Sequence, residues 1–231
     1  MILQLILLLL IAYIILVIVF QILVKNKDLF SESKRNINYV EHFRKNVSEQ
    51  AFGGELGKEG FANTVKVIAY DGKDYNVSEK YMDKKEASNV LAKINQKNLE
   101  LIAYLKKKYP DDKRTKLLSE RYNPGNIFEV DPFNAGGDTS YTVNKGKELG
   151  ICVRQKTSSA EFVNFNHVYH VVIHELAHIA SKSNGHNDEH YDSFVFLLKA
   201  ADESGIYKEI INYHMNPQPY CGIQIIDDPL I

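Results

Sequence analysis

The chain has too few cysteines for a disulfide scaffold or for a structural zinc site built from cysteines. The 231 residues contain only two cysteines, Cys152 and Cys221. Two are too few for a disulfide scaffold, and no C-x-x-C pair is present that could hold a structural zinc. We therefore expect both side chains to be buried in the core as small apolar groups.

A strong charge of either sign is also missing. The formal net charge is −1 at pH 7, so the whole chain offers no attraction to nucleic acid. The basic run at residues 106–108 is expected to be solvated helix surface. The glycines between residues 53 and 60 are not followed by Gly-Lys-Ser/Thr, so no phosphate-binding loop is predicted. No nucleic acid or nucleotide partner is indicated.

The N-terminal segment differs from the rest of the chain. Residues 2–24 are almost wholly apolar, and at about 1.5 Å per helical residue they can cross a hydrocarbon core of about 30 Å. The basic start and the small-residue cleavage site of a signal peptide are both missing. We predict a retained transmembrane anchor at residues 1–24 that contacts the lipid bilayer through residues 2–24, followed by a polar, glycine-containing stalk at residues 25–60.

The side of the membrane is indicated by two opposing signals. Basic residues follow the predicted span closely, namely Lys25, Lys27, Lys34 and Arg35. The positive-inside rule then predicts that the C-terminal domain lies on the cytoplasmic side. Two glycosylation sequons, which begin at Asn46 and Asn76, would be usable only if the domain were luminal.

Residues 61–231 combine short β-rich runs with amphipathic helical patterns, which predicts one α+β domain. Asp71-Gly72 between two β-rich runs indicates a hairpin over residues 64–77. Ser78 is expected to cap a long helix that bends near Asp83 and stops before Pro110. Asp111 or Asp112 is then expected to cap a shorter helix. Further short strands are predicted at residues 127–130, 141–143, 149–154 and 223–225.

The chemistry is indicated by the sequence H-E-L-A-H at residues 174–178. Residues four apart share one face of a helix, so the imidazoles of His174 and His178 can point at one ion. Apolar residues recur at positions 172, 176 and 179, which predicts a helix buried on its other side. Glu175 stands beside the histidines, where its carboxylate can deprotonate a water on that ion. We predict a Zn²⁺ site with Glu175 as general base.

A catalytic zinc usually takes three protein ligands and keeps one position open. Two histidines follow the motif, His186 directly after Gly185 and His190 inside the next helical pattern. His186 stands at the entrance of that helix, whereas His190 is four residues before Phe194 and fits its apolar face. We predict His186 as the third ligand, with His190 or a downstream acid such as Glu203 as alternatives.

The arrangement resembles the WLM and SprT-like zinc metallopeptidases. Their pattern is H-E-L-A-H, a short loop, a third histidine that opens a helix, and an aromatic residue further on. The chain is most similar to a membrane-anchored WLM-like family of large DNA viruses. That family shares T-S-Y-T-x-N-K-G, C-x-R and Y-C-G, which here are residues 139–146, 152–154 and 220–222. The resemblance covers about residues 60–226, and His190 stands where the family usually has an aromatic side chain.

This resemblance implies a zincin-like domain with a small mixed or antiparallel sheet over the active-site helix. It also implies a peptidase that acts on protein or peptide substrates. The strand at residues 149–154 is expected either to be the sheet edge that pairs with an extended substrate, or to be a core strand only. The alternative function is a catalytically silent zincin fold, used as a membrane-tethered binding or virion structural protein.

Other polar residues near the motif are weaker candidates. His170 stands four residues before His174 and is expected to orient the ligands or to lie at the surface. Possible donors to a developing oxyanion are Tyr207, Tyr213, Tyr220 and His214.

Overall fold

The structure is a computed structural model that describes residues 63–133, 139–208 and 211–226. The predicted anchor at residues 1–24 and the stalk at residues 25–60 lie outside these ranges. Across the described ranges, no helix is both long and apolar enough to cross a bilayer.

A mixed five-stranded sheet forms one layer of the domain. Its strands are β1 (Thr64–Ile68), β2 (Asp74–Ser78), β3 (Ile127–Glu129), β4 (Tyr141–Val143) and β5 (Glu148–Ile151), in the spatial order β1-β2-β3-β5-β4. The pairs β1/β2 and β4/β5 are antiparallel, and β2/β3 and β3/β5 are parallel. A separate antiparallel hairpin contains β6 (Gln218–Tyr220) and β7 (Ile223–Ile225). The predicted α+β fold with a mixed sheet is thus confirmed.

The predicted edge position of residues 149–154 is wrong. Strand β5 is hydrogen-bonded on both sides, to β3 and to β4. Its register places Gly150 opposite both Phe128 and Tyr141. A Cβ at Gly150 would come within 2.8 Å of a Val130 methyl group, so the strand fits its interior place only with glycine there. The core-strand alternative is the correct one, and among the described strands β4 forms this edge of the sheet.

Four helices complete the described part of the fold, and they are α1 (Lys84–Lys108), α2 (Lys113–Arg121), α3 (Phe165–Ala180) and α4 (Asp188–Glu203). Asp112 caps α2 as predicted, and its side chain accepts a hydrogen bond from the N–H of Arg114. The prediction that Ser78 caps α1 is wrong. Ser78 is the last residue of β2, where its N–H donates to the Glu129 carboxylate at 2.8 Å.

The core lies between the sheet and the helices. Helix α1 contacts β1, β2 and β3, and α3 contacts α2, α4, β4 and β5. The apolar residues of α3 that the periodicity singled out, Val172, Leu176 and Ile179, are fully buried. Each such side chain contributes about 1.5–3 kcal/mol when it leaves water. Helix α3 is therefore held firmly on its apolar side, which fixes the direction of its histidines.

The prediction that both cysteines are only buried apolar groups is wrong, because Cys152 and Cys221 form a disulfide. Both are buried, but they belong to segments 69 residues apart in sequence. Cys152 follows β5, and Cys221 lies in the turn between β6 and β7. The bond thus attaches the C-terminal hairpin to the end of a central strand.

Arg154 and Glu129 form a buried ion pair next to the disulfide. The Nε of Arg154 donates to Glu129 at 2.7 Å, and both side chains are buried. The Nη1 of Arg154 also donates to Asp83, the residue before α1, at 2.8 Å. The arginine of the C-x-R segment therefore connects the start of α1 to the sheet. Removing one partner of such a pair is costly because the other charge stays buried.

Candidate metal centre

Helix α3 carries the H-E-x-x-H motif as predicted. Asn164 caps the helix, and its side chain accepts a hydrogen bond from the N–H of Asn166 at 2.9 Å. His174 and His178 lie one turn apart, and their ring centroids are 5.1 Å from each other. Because the apolar side of α3 is fixed by the core, both rings face the loop that follows the helix.

The third histidine comes from that loop. Gly185 has φ +79°, a left-handed conformation that turns the chain without the cost other residues meet there. Asn187 then caps α4 and accepts a hydrogen bond from the N–H of His190. His186 lies between these two turning points. Its Nε2 lies 2.9 Å from Nε2 of His174 and 3.2 Å from Nε2 of His178.

These three Nε2 atoms meet as zinc ligands would. Two nitrogens that each lie about 2.0–2.1 Å from one tetrahedral ion are separated by about 3.3 Å. The observed separations of 2.9 and 3.2 Å are within a few tenths of an ångström of that value. Three imidazoles with one open position are also a donor set of catalytic zinc. The residues therefore fit Zn²⁺.

Burial keeps the imidazoles of this cluster neutral. It lowers the pKa of His174, His178 and His186, and neighbouring histidines lower the pKa of the first two further. Burial, followed by the charge of His186, lowers the pKa of His190 to about 3. A ring must be neutral to offer a lone pair to a metal. Near neutral pH the cluster is therefore ready to bind an ion without first releasing protons.

His190 is in the same cluster but has different contacts. One ring nitrogen of each of the four histidines lies within 4.8 Å of the others. The Nε2 of His190, however, lies 3.2 Å from the backbone carbonyl of His174, to which a protonated nitrogen donates. Its ring also stacks on His178 at 3.8 Å between centroids. Stacked rings do not point their lone pairs at one ion, so these contacts suit a residue that orients His178 and His174.

Glu203, the acidic alternative, lies away from the cluster. It is at the end of α4, where its carboxylate accepts hydrogen bonds from Tyr104, Lys108 and Tyr109 at 2.8–3.2 Å. This group ties α4 to the end of α1. Glu203 was a possible ligand only because it lies downstream of the motif, and the fold does not bring it to the histidines.

Glu175 is buried on the same helix as His174 and His178. Burial raises the pKa of Tyr220, and the nearby Glu175 charge raises it further. Tyr220 is therefore within electrostatic reach of the predicted general base. Its hydroxyl donates to the carbonyl of Cys152 at 2.8 Å and lies 2.6 Å from Oγ of Ser140.

Two of the remaining candidates, Tyr207 and Tyr213, lie against His170. This ring is buried, so the surface alternative is wrong. Its centroid lies 4.4 Å from that of Tyr213, and its Nδ1 lies 3.4 Å from the hydroxyl of Tyr207. His170 and Phe194 pack edge to face, which continues the aromatic packing towards His174. His214 is exposed.

Sequence reasoning missed the residue that holds the α3–α4 loop. The Glu189 carboxylate accepts hydrogen bonds from Oγ of Ser183 at 2.6 Å and from the N–H groups of Ser183 and Lys182 at 2.8 and 3.0 Å. These bonds fix the loop that presents His186. No sequence motif marks Glu189 for this role, because its partners are backbone groups of the preceding loop.

Replacing Glu189 by glutamine should lower stability in a pH-dependent way. Hydrogen bonds from Ser183 and from the Lys182 N–H lower the pKa of Glu189 to about 2. The stabilising contribution is complete above about pH 4.3, the ordinary glutamate pKa, and is lost as the pH falls through about 2. The thermal midpoint of Glu189→Gln should lie below that of the parent near neutral pH, and the difference should vanish at low pH. The exposed Glu79→Gln serves as control. Equal shifts in both variants would contradict this assignment.

Comparison with known proteins identifies the family. The sequence profile of the WLM domain matches residues 73–212. Uncharacterized protein R325 of Acanthamoeba polyphaga mimivirus is 33% identical over 153 residues, which are 64% of this chain and 75% of that protein. Uncharacterized protein 136R of Invertebrate iridescent virus 6 is 33% identical over 86 residues, 37% of this chain and 46% of that protein.

Among solved structures, the crystal structure of Wss1 from Saccharomyces cerevisiae is similar at a TM-score of 0.42. It is 20% identical and aligns with 56% of this chain and 89% of its own. The WLM profile covers more than half of the chain, including helices α3 and α4 and the loop that carries His186. The chain belongs to the WLM domain family.

Proposed function

We propose that this chain is a zinc-dependent peptidase. The observation that carries the proposal is the convergence of three Nε2 atoms from His174, His178 and His186 beside the buried Glu175. His174 and His178 would hold the ion from the helix, and His186 would hold it from the loop. His190 would orient two of the ligand-bearing groups and leave the fourth position open for water and substrate.

Glu175 supplies the proton chemistry in this proposal. When bound, zinc polarises the scissile carbonyl and lowers the pKa of water towards about 7. The Glu175 carboxylate accepts the proton of the attacking water and then delivers it to the leaving amide nitrogen. Its burial supports this role, because the surrounding residues limit the access of bulk solvent to the attacking water.

The substrate would lie along strand β4. Strand β4 forms the sheet edge on the side of α3 and contacts that helix. Added strands bind through backbone hydrogen bonds, which recognise an extended peptide without reading its sequence. We therefore propose that an extended segment of a protein substrate pairs with β4 at Tyr141–Val143. Strand β5 cannot serve this purpose, because it is already paired on both sides.

We also propose that residues 2–24 anchor the enzyme in a membrane, with the catalytic domain on the cytoplasmic side. The basic residues after the apolar run support this orientation. The Cys152–Cys221 disulfide and the sequon at Asn76 favour the opposite side, since disulfides are rare in the cytosol. Glycosidase treatment of the full chain from eukaryotic cells tests this orientation. A change in gel mobility that is absent from Asn76→Gln would show that Asn76 is glycosylated and that the domain lies on the luminal side.

Metal content of the full chain tests the assignment of ligands. We expect about one zinc per chain in the parent, its loss in His186→Ala, and its retention in His190→Phe. Phenylalanine keeps the stacking on His178 and lacks a ligand atom, so it is the matched control for the fourth ring. If His190→Phe loses zinc and His186→Ala keeps it, the third ligand is His190. A parent that takes up no zinc would overturn the peptidase proposal.

A further inference from the structure

The turn between β4 and β5, Asn144–Gly146, ends the T-S-Y-T-x-N-K-G segment, and the proposed mechanism assigns no role to this turn. Three successive residues of this turn are left-handed, with φ 45° at Asn144, 57° at Lys145 and 99° at Gly146. Residues other than glycine adopt this conformation at a cost, and they keep it only where their surroundings hold them. The turn is therefore held in place by specific contacts.

Those contacts are with the C-terminal end of α3. A Cβ at Gly146 would lie 2.9 Å from the carbonyl oxygen of Arg121 and 3.2 Å from a methyl group of Ile179. Only glycine allows this close approach. The turn is consequently packed against the last turn of the helix that carries His174 and His178.

Lys145 uses this position to bind two carbonyl groups. Its Nζ donates to the carbonyl of His178 at 3.1 Å and also to the carbonyl of Ser183. His178 is a proposed ligand on the helix, and Ser183 lies in the loop three residues before His186. The ammonium group thus joins the helix to the loop across the gap that the metal ligands must span. It also satisfies carbonyls at the negative end of the helix dipole.

Arg121 makes a parallel set of contacts nearby. Its Nη1 donates to the carbonyls of Ile179 and Ser181 at 3.0 and 2.8 Å. Arg121 therefore holds the helix end itself, whereas Lys145 reaches past it to the loop. The two cations divide the carbonyls at this helix end between them.

We propose that Lys145 is a positioning residue of the metal centre. It fixes the α3–α4 loop relative to α3, so that Nε2 of His186 meets Nε2 of His174 and His178 at one ion. Residues that orient ligands in this way typically change metal affinity about 10- to 100-fold when they are removed.

The test measures metal binding in place of turnover, and it rests on the zinc site proposed above. Zinc affinity of the full chain is measured by competition with a chromophoric chelator for the parent, Lys145→Met, Lys145→Arg and Lys147→Met. Methionine keeps the aliphatic stem and removes the donors. Lys147 is exposed in the same turn, so Lys147→Met removes the same charge without the carbonyl contacts. Cobalt(II) absorption reports the geometry of the ligands.

We expect Lys145→Met to bind zinc about 10- to 100-fold more weakly with an altered cobalt spectrum. Lys145→Arg should recover most of the affinity, and Lys147→Met should match the parent. Equal affinity and spectra in Lys145→Met and Lys147→Met would overturn the role of Lys145 while the zinc site stands. A metal-free Lys145→Met that does not fold, beside a folded Lys147→Met, would make Lys145 a general stability residue. No zinc in the parent would overturn the site and this inference together.

Discussion

Replacing Glu175 by glutamine is expected to abolish peptide hydrolysis while zinc stays bound. Glutamine has the same shape but cannot accept the proton of the attacking water, and general acid–base groups typically contribute about 10²- to 10⁴-fold. The metal should remain because its three proposed ligands are histidines whose Nε2 atoms converge without Glu175. Zinc content and the cleavage rate of an unfolded protein substrate are measured on the same preparation of the full chain.

The matched control is Glu86→Gln. Glu86 is exposed in the first turn of α1, so the substitution removes the same charge at a distance from the cluster. Cleavage by Glu175→Gln at the parental rate would show that Glu175 is not the base. A parent that holds zinc but cleaves nothing would instead favour the catalytically silent, membrane-tethered domain.

Local pattern was sufficient to predict the part of the site that lies on one helix. The spacing of Val172, Leu176 and Ile179 predicted α3, and all three are buried. Because a buried stripe fixes the rotation of a helix, the direction of His174 and His178 followed from the same pattern. Turn and cap chemistry similarly predicted the β1–β2 hairpin and the start of α2, since both depend on neighbouring residues only.

The parts that the sequence could not supply depend on contacts between distant segments. The β5 run is apolar whether it is an edge or an interior strand, and only its pairing with both β3 and β4 makes it interior. His186 and His190 stand four residues apart at a helix start, and both enter the cluster. Their different roles depend on the stacking of His190 on His178 and its bond to a carbonyl, which no pattern contains.

Side chains that bind backbone carbonyls were also invisible in the sequence. Neither Lys145 nor Arg121 belongs to a sequence motif that marks a helix-capping role. Ser78 illustrates the reverse error. Serine is a common N-cap residue, but here Ser78 ends strand β2, and its backbone N–H donates to the buried carboxylate of Glu129. Tertiary contacts decide such cases over local preference.

Loss of the Cys152–Cys221 disulfide is expected to cause the largest decrease in the free energy of unfolding among these variants. The bond closes a loop across a sequence separation of 69 residues, for which the chain-entropy relation gives about 4.4 kcal/mol in free energy of unfolding, slightly above the typical value of about 2–4 kcal/mol. The double variant Cys152→Ser/Cys221→Ser should therefore unfold at a clearly lower denaturant concentration than the oxidised parent. Denaturant titrations with and without a thiol reductant measure this difference.

The same bond should also affect hydrolysis, because it holds the hairpin that carries Tyr220. The Tyr220 hydroxyl contacts Cys152 and Ser140 and interacts electrostatically with Glu175, so a released hairpin would move Tyr220 away from the proposed base. We expect reductant to lower the cleavage rate of the parent under conditions in which it remains folded, and to leave the serine double variant unchanged. The variant is the internal control, since a direct effect of the thiol on zinc would reduce both rates alike. Equal stability of the parent with and without reductant would show that the hairpin is held by packing alone.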